Sequence, residues 1–142
     1  MTFTSDIEIE RIYAGLTDRS LPKPEWTHAA HFAAAVAMLS DLKQVTFDKM
    51  PDVIRAYNLA TGVANTDTDG YHHTITLASL MAAKSVMDAV PNSQPLYEIT
   101  NTILSGEYGS PKWLLKFWSK DVLFSVQARR DWTPPDIRDL PF

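Results

Sequence analysis

Four histidines are the side chains of this sequence best suited to acid–base or ligand chemistry. They stand in two short segments, Trp26-Thr27-His28-x-x-His31 and Tyr71-His72-His73-x-x-Thr76. Imidazole titrates nearest to neutral pH of all side chains and is a common metal ligand. Each segment opens a stretch without Asp, Glu, Lys or Arg, residues 26–40 and 71–83. The three-residue spacing places His28 and His31 on one helix face. At about 100° per residue, His28, His31, Phe32, Ala35, Met38 and Leu39 share an arc of roughly 120°. That arc is also the apolar stripe. In the second stretch His72, Ile75, Thr76, Ser79, Ala83, Val86 and Val90 share a face, with Lys84 and Asp88 toward the other side. His72 is therefore expected to face inward, with Thr76 and Ser79 as a polar seam. His73 falls about 100° away, at the edge.

Three inward imidazoles admit three readings. As ligands, His28, His31 and His72 form a three-nitrogen set suited to zinc or iron. Glu25, Asp69 or Asp136 would then supply a fourth ligand or support the first three. Without a metal, the same three residues act as acid/base groups toward a small polar or anionic molecule. Free N–H groups at helix starts favour such a ligand and keep imidazole neutral. Thr76 and Arg129 would orient the histidines or the substrate. Trp26 either staples the entry to its helix or stacks on the ligand. In the third reading the protein is a non-enzymatic structural or interaction protein, and the histidines are core residues satisfied by backbone carbonyls. Between these, the sequence leaves catalysis open.

The elements that would position these residues are helical. Ser5-x-x-Glu8 has the form of a capping box for a first helix over 5–17. Thr27 is an N-cap for a second over 27–42. Thr46 would cap a third over 47–61, beginning nearer Pro51 or kinked there, because proline is at home only in a first turn. Gly62 marks its end. A fourth helix is expected over 71–90. Ser93 would cap a fifth over 94–105, and Ser110-Pro111 would open a sixth. Alanines at 29, 30, 33, 34, 35 and 37 point to close helix packing more than to a cavity. The tail from Ser119 to Phe142 reads as an irregular, proline-rich arm held by apolar residues. The expectation is an all-α, single-domain bundle of five to seven helices spanning residues 1–142.

Weaker patterns exclude more than they assign. Asn65-x-Asp67-x-Asp69-Gly70 copies the first half of an EF-hand loop, but Thr76 stands where a bidentate Glu is needed. It reads as a turn-rich loop. Ser119 and Ser125 belong to no G-x-S-x-G nucleophile motif. The chain has 142 residues and a net charge of −4, with no dense basic block. Nucleic acid is therefore not an expected partner. It contains no cysteine, which excludes disulfides and thiolate chemistry. The uncharged stretches are short for a membrane span of about 20 residues, and no signal peptide is visible. A soluble cytoplasmic protein is the expectation, and a homo-oligomer is compatible with it.

The segments Trp26-Thr27-His28-x-x-His31 and Gly70-Tyr71-His72-x-Thr74-Ile75-Thr76 recur with a tail of set pattern. That tail is Phe117-Trp118-Ser119, Leu123-Phe124-Ser125, Ala128-Arg129, then Trp132-x-x-Pro135-Asp136. Together they resemble a family of small bacterial helical proteins of unknown function, over about residues 25–140. The resemblance implies that His28, His31, His72, Thr74, Thr76 and Arg129 belong to the family pattern. His73 occupies a variable place in it.

Overall fold

A computed structural model describes residues 3–142. Its axis is the alanine-rich helix α2 (His28–Leu42), which follows α1 (Asp6–Thr17). Ala30 and every residue from Phe32 to Leu39 are buried. A helix apolar all round has to be enclosed. Here α1, α3 (Thr46–Ala60), α4 (His73–Asp88) and α5 (Leu96–Ser105) all pack against it. Small side chains at Ala33, Ala34 and Ala37, all at or near zero exposure, let those neighbours approach closely. The alanines are thus packing surface. The expected single stripe is an enclosed rod from Phe32 to Leu39. Its two ends emerge, with His28 half-buried and His31 exposed in the first turn and Asp41 exposed in the last.

The described residues are all-helical, with no strand. Two further helices are short, α6 (Lys120–Leu123) and α7 (Val126–Arg130). No helix among the described residues is long and apolar enough to cross a membrane.

Several caps differ from expectation. Ser5 makes no side-chain cap; Glu8 instead accepts from the backbone N–H and hydroxyl of Thr4, one residue earlier. Thr46 is buried and helical, and its hydroxyl donates to the carbonyl of Met38. The helix therefore starts at Thr46 and runs through Pro51, which is itself buried. Proline has no N–H for the usual bond to the carbonyl four residues back, so α3 carries one internal bond fewer. Its end matches expectation. Gly62 adopts φ +86°, and Val63 and Gly62 donate to the carbonyls of Asn58 and Leu59. This pattern is a Schellman stop.

Ser93 does not cap α5. Pro95 holds the N-cap position, and Asp6 of α1 accepts from the N–H of Tyr97 across the bundle. The sixth helix expected from Ser110-Pro111 is only a single 3-10 turn, Trp113–Lys116. Its continuation is blocked because Ile137 donates to the carbonyl of Phe117, and Asp136 takes the N–H of Ser119. The first part of the expected irregular arm is also helical. Ser119 caps α6 and Ser125 caps α7. Residues 131–142 then cross the bundle without regular structure. Trp118 donates its indole N–H to Thr133, and Thr74 bonds Asp131 and Thr133.

Candidate functional site

The two helices that begin at histidines begin differently. In α2 the N-cap is Thr27, whose hydroxyl accepts from the N–H of Ala30. That cap leaves the imidazoles of the first turn for other uses. His31 donates Nδ1–H to the Thr27 carbonyl at 2.6 Å, and its ring lies stacked on Trp26, with centroids 3.7 Å apart. His28 donates Nε2–H to the Tyr108 carbonyl at 2.7 Å and meets Phe32 edge-on. A carbonyl can only accept, so these bonds fix the tautomers. Nε2 of His31 and Nδ1 of His28 are left as acceptor nitrogens without a partner among the described residues.

In α4 the N-cap is His72 itself. Its Nδ1 accepts from the N–H of Ile75 at 3.1 Å, and its Nε2–H donates to the Leu123 carbonyl at 2.6 Å. Both nitrogens are consumed, and the ring is buried. The expected trio of His28, His31 and His72 is therefore not assembled as a ligand set. Position 72 carries no Ser, Thr, Asp or Asn, so the imidazole has to satisfy the helix end. The supporting carboxylates are also elsewhere. Glu25 pairs with Arg11 at 2.8 Å, Asp136 holds Ser119, and Asp69 stays in its own loop beside Thr66 and Thr68. Among the described residues no three His, Asp or Glu side chains group as a metal site would need.

The remaining candidates are placed as follows. Thr76 donates its hydroxyl back to the His72 carbonyl. With Trp26, His31 and His72 it lines a small cleft of about 310 Å3. Arg129 donates to the carbonyls of Gly70 and Tyr71, clamping the loop before α4. Gly70 there has φ +79°, and an added Cβ would lie 2.7 Å from the side-chain oxygen of Asn65. Arg130 grips Asp67 through two bonds of 2.7 Å. The loop that copies half an EF-hand is thus closed by arginines and by Asn65, which accepts from Asn58 and Tyr71. His73 stays at the edge, paired with the Tyr71 hydroxyl.

His28 and His31 line a second cleft of about 500 Å3, between the starts of α2 and α6, the middle of α4 and the turn at Trp113. Its wall is mainly apolar, with Phe32, Ile75, Trp113, Leu114, Leu123 and Phe124. Ser79 adds a hydroxyl. Phe124 is 58% exposed, an unusual state for an aromatic ring beside a cleft. The helical projection placed His72, Ile75, Thr76 and Ser79 on an inward face. Ile75, Thr76 and Ser79 of that seam are half-buried and line the two clefts beside the buried His72, whereas α4 buries Thr74, Ala78, Leu80 and Ala82 against the bundle. Lys112, Trp113, Lys120 and Phe124 were not legible as site residues. The only sequence signal is an aromatic run held between two lysines.

Burial favours the neutral imidazole at His31 and His72. Desolvation by the surrounding protein pushes His31 well below the ordinary imidazole value, and neighbouring His28 adds to the effect. The ring lines both clefts, so it is accessible while protein encloses it on most sides. The solvent it meets limits the penalty without changing its sign. Burial likewise lowers His72, and Arg129 adds to that. Comparison with models of known families, with curated proteins and with solved structures gave no match.

Proposed function

We propose that the cleft at the start of α2 binds a small organic molecule, with its body against Phe32, Ile75, Trp113 and Leu123 and a polar group toward His28 and His31. The observation that carries this reading is two imidazoles, His28 and His31, each with one ring nitrogen bonded and one unspent, lining one cleft. Its volume of about 500 Å3 lies within the range of small-molecule sites, about 300–1,000 Å3, and such sites combine apolar walls with a few polar groups. A free imidazole nitrogen can accept a hydrogen bond from the ligand or take a proton from it. His72 stands outside this reading and supports the fold.

Octanol and octanoate are suitable probes, followed by calorimetry and by the ring signals of His28 and His31 in NMR spectra. Saturable binding of one equivalent is expected, with both ring signals moving. Ser79→Trp fills the cleft from α4 and should abolish binding with little loss of thermal stability. Failure of both probes to bind, or binding that persists in Ser79→Trp, overturns the proposal.

A further inference from the structure

The charges around this cleft are one-sided. Its lining contains Lys112, Lys120, His28 and His31 and no carboxylate. This is unexpected in a chain with 17 acidic and 13 basic residues. The neighbouring cleft, which shares His31 and Ile75 with it, contains Lys23 and likewise no carboxylate. Clefts elsewhere differ. Where Lys84 lines one, Asp88 lies 2.6 Å away. Where Arg55, Arg129 and Arg130 line one, Asp67 is among them and pairs with Arg130. Lys112 and Lys120 take part in none of the ion pairs among the described residues, whereas Lys116 between them is paired with Glu107.

We infer that the ligand of this cleft is an organic acid, an apolar body carrying a carboxylate that Lys112 and Lys120 recognise. The inference rests on the small-molecule reading above and names its class. Each element of the lining fits one part of such a molecule. The aromatic and aliphatic wall takes the hydrocarbon, and the exposed ring of Phe124 extends that wall to the solvent edge. Both lysines are exposed, so their ammonium groups stay hydrated until a counter-charge arrives. A carboxylate beside an apolar wall is partly withdrawn from water, which strengthens its attraction to both lysines. The unspent ring nitrogens of His28 and His31 are acceptors like the carboxylate and offer it no donor, so recognition of the acid group falls to the two lysines. A cationic ligand would meet two like charges with no acid to offset them.

The test uses three probes with one hydrocarbon chain, octanoate, octanol and octylamine, titrated into the intact protein. Octanoate should bind about tenfold more tightly than octanol, and octylamine most weakly. Added sodium chloride should weaken octanoate and leave octanol nearly unchanged, because salt screens the ion pairs only. In the variant Lys112→Gln/Lys120→Gln, octanoate should fall to the level of octanol, while octanol keeps its affinity. Both lysines are exposed, so this variant is expected to fold, and retained octanol binding verifies that the cleft is intact. Equal binding of octanol and octanoate, or octanoate binding unmoved in the double variant, overturns the acid specificity and leaves the small-molecule reading standing. Absence of binding by all three probes overturns both.

Discussion

The start of α2 and the start of α4 use the same side chain in opposite ways. At α2 the threonine at position 27 satisfies the helix end, so His28 and His31 each spend one nitrogen on a carbonyl and keep one. At α4 no hydroxyl or carboxamide stands at position 72, and the imidazole has to serve as cap and as clamp on Leu123 together. The identity of one capping residue thus separates histidines that can meet a ligand from a histidine that holds the fold.

The largest test of this contrast is stability. His72→Ala should cost about 2–4 kcal/mol, the sum of a lost cap and an orphaned Leu123 carbonyl. His28→Ala should cost about 1 kcal/mol for the Tyr108 bond, and His31→Ala less than that, because the carbonyl it bonds belongs to the exposed Thr27 and water can replace the imidazole there. Urea unfolding gives all three values, and equal costs would erase the contrast.

A second test is acid sensitivity. Burial holds His72, His31 and His73 below the ordinary imidazole range. Below about pH 6.5, the unperturbed value, the unfolded chain therefore binds more protons than the folded one. Stability is flat with respect to these groups above that pH and falls as pH drops below it. His72→Asn keeps an acceptor for the Ile75 N–H and cannot titrate. The slope of stability against pH should shrink in that variant and leave the contributions of His31 and His73. An unchanged slope would show that His72 is not desolvated as the structure places it.

The smallest effect concerns the cap that frees the α2 histidines. Thr27→Ala should cost about 1 kcal/mol and Thr27→Ser almost nothing. The His31 ring should keep its NMR position in both, since its bond is to the carbonyl of residue 27 and not to the hydroxyl. A displaced His31 signal in Thr27→Ala would mean that cap and imidazole are coupled.

Much of the helical framework was legible. Uncharged runs, the Thr27 cap and the Gly62 stop depend on neighbours within a few residues, and local sequence contains them. The misplaced caps share one cause. Asp6 satisfies α5, Met38 accepts from Thr46, and Asp136 and Ile137 end the turn at Trp113. Each partner comes from a distant or differently folded part of the chain, which spacing does not reveal. The same holds for the site. His28 and His31 were found by their shared face, but the lysines and aromatic residues opposite them lie some eighty residues further along the chain.

By itself, then, the sequence determined an all-helical chain with a buried alanine-rich axis and imidazoles at two helix starts. Periodicity and capping chemistry are local, and they carry that much. Only the tertiary structure decided which of those imidazoles keeps a free nitrogen. That depends on where the carbonyls of Tyr108 and Leu123 come to rest, and on which distant side chains close the cleft around what remains.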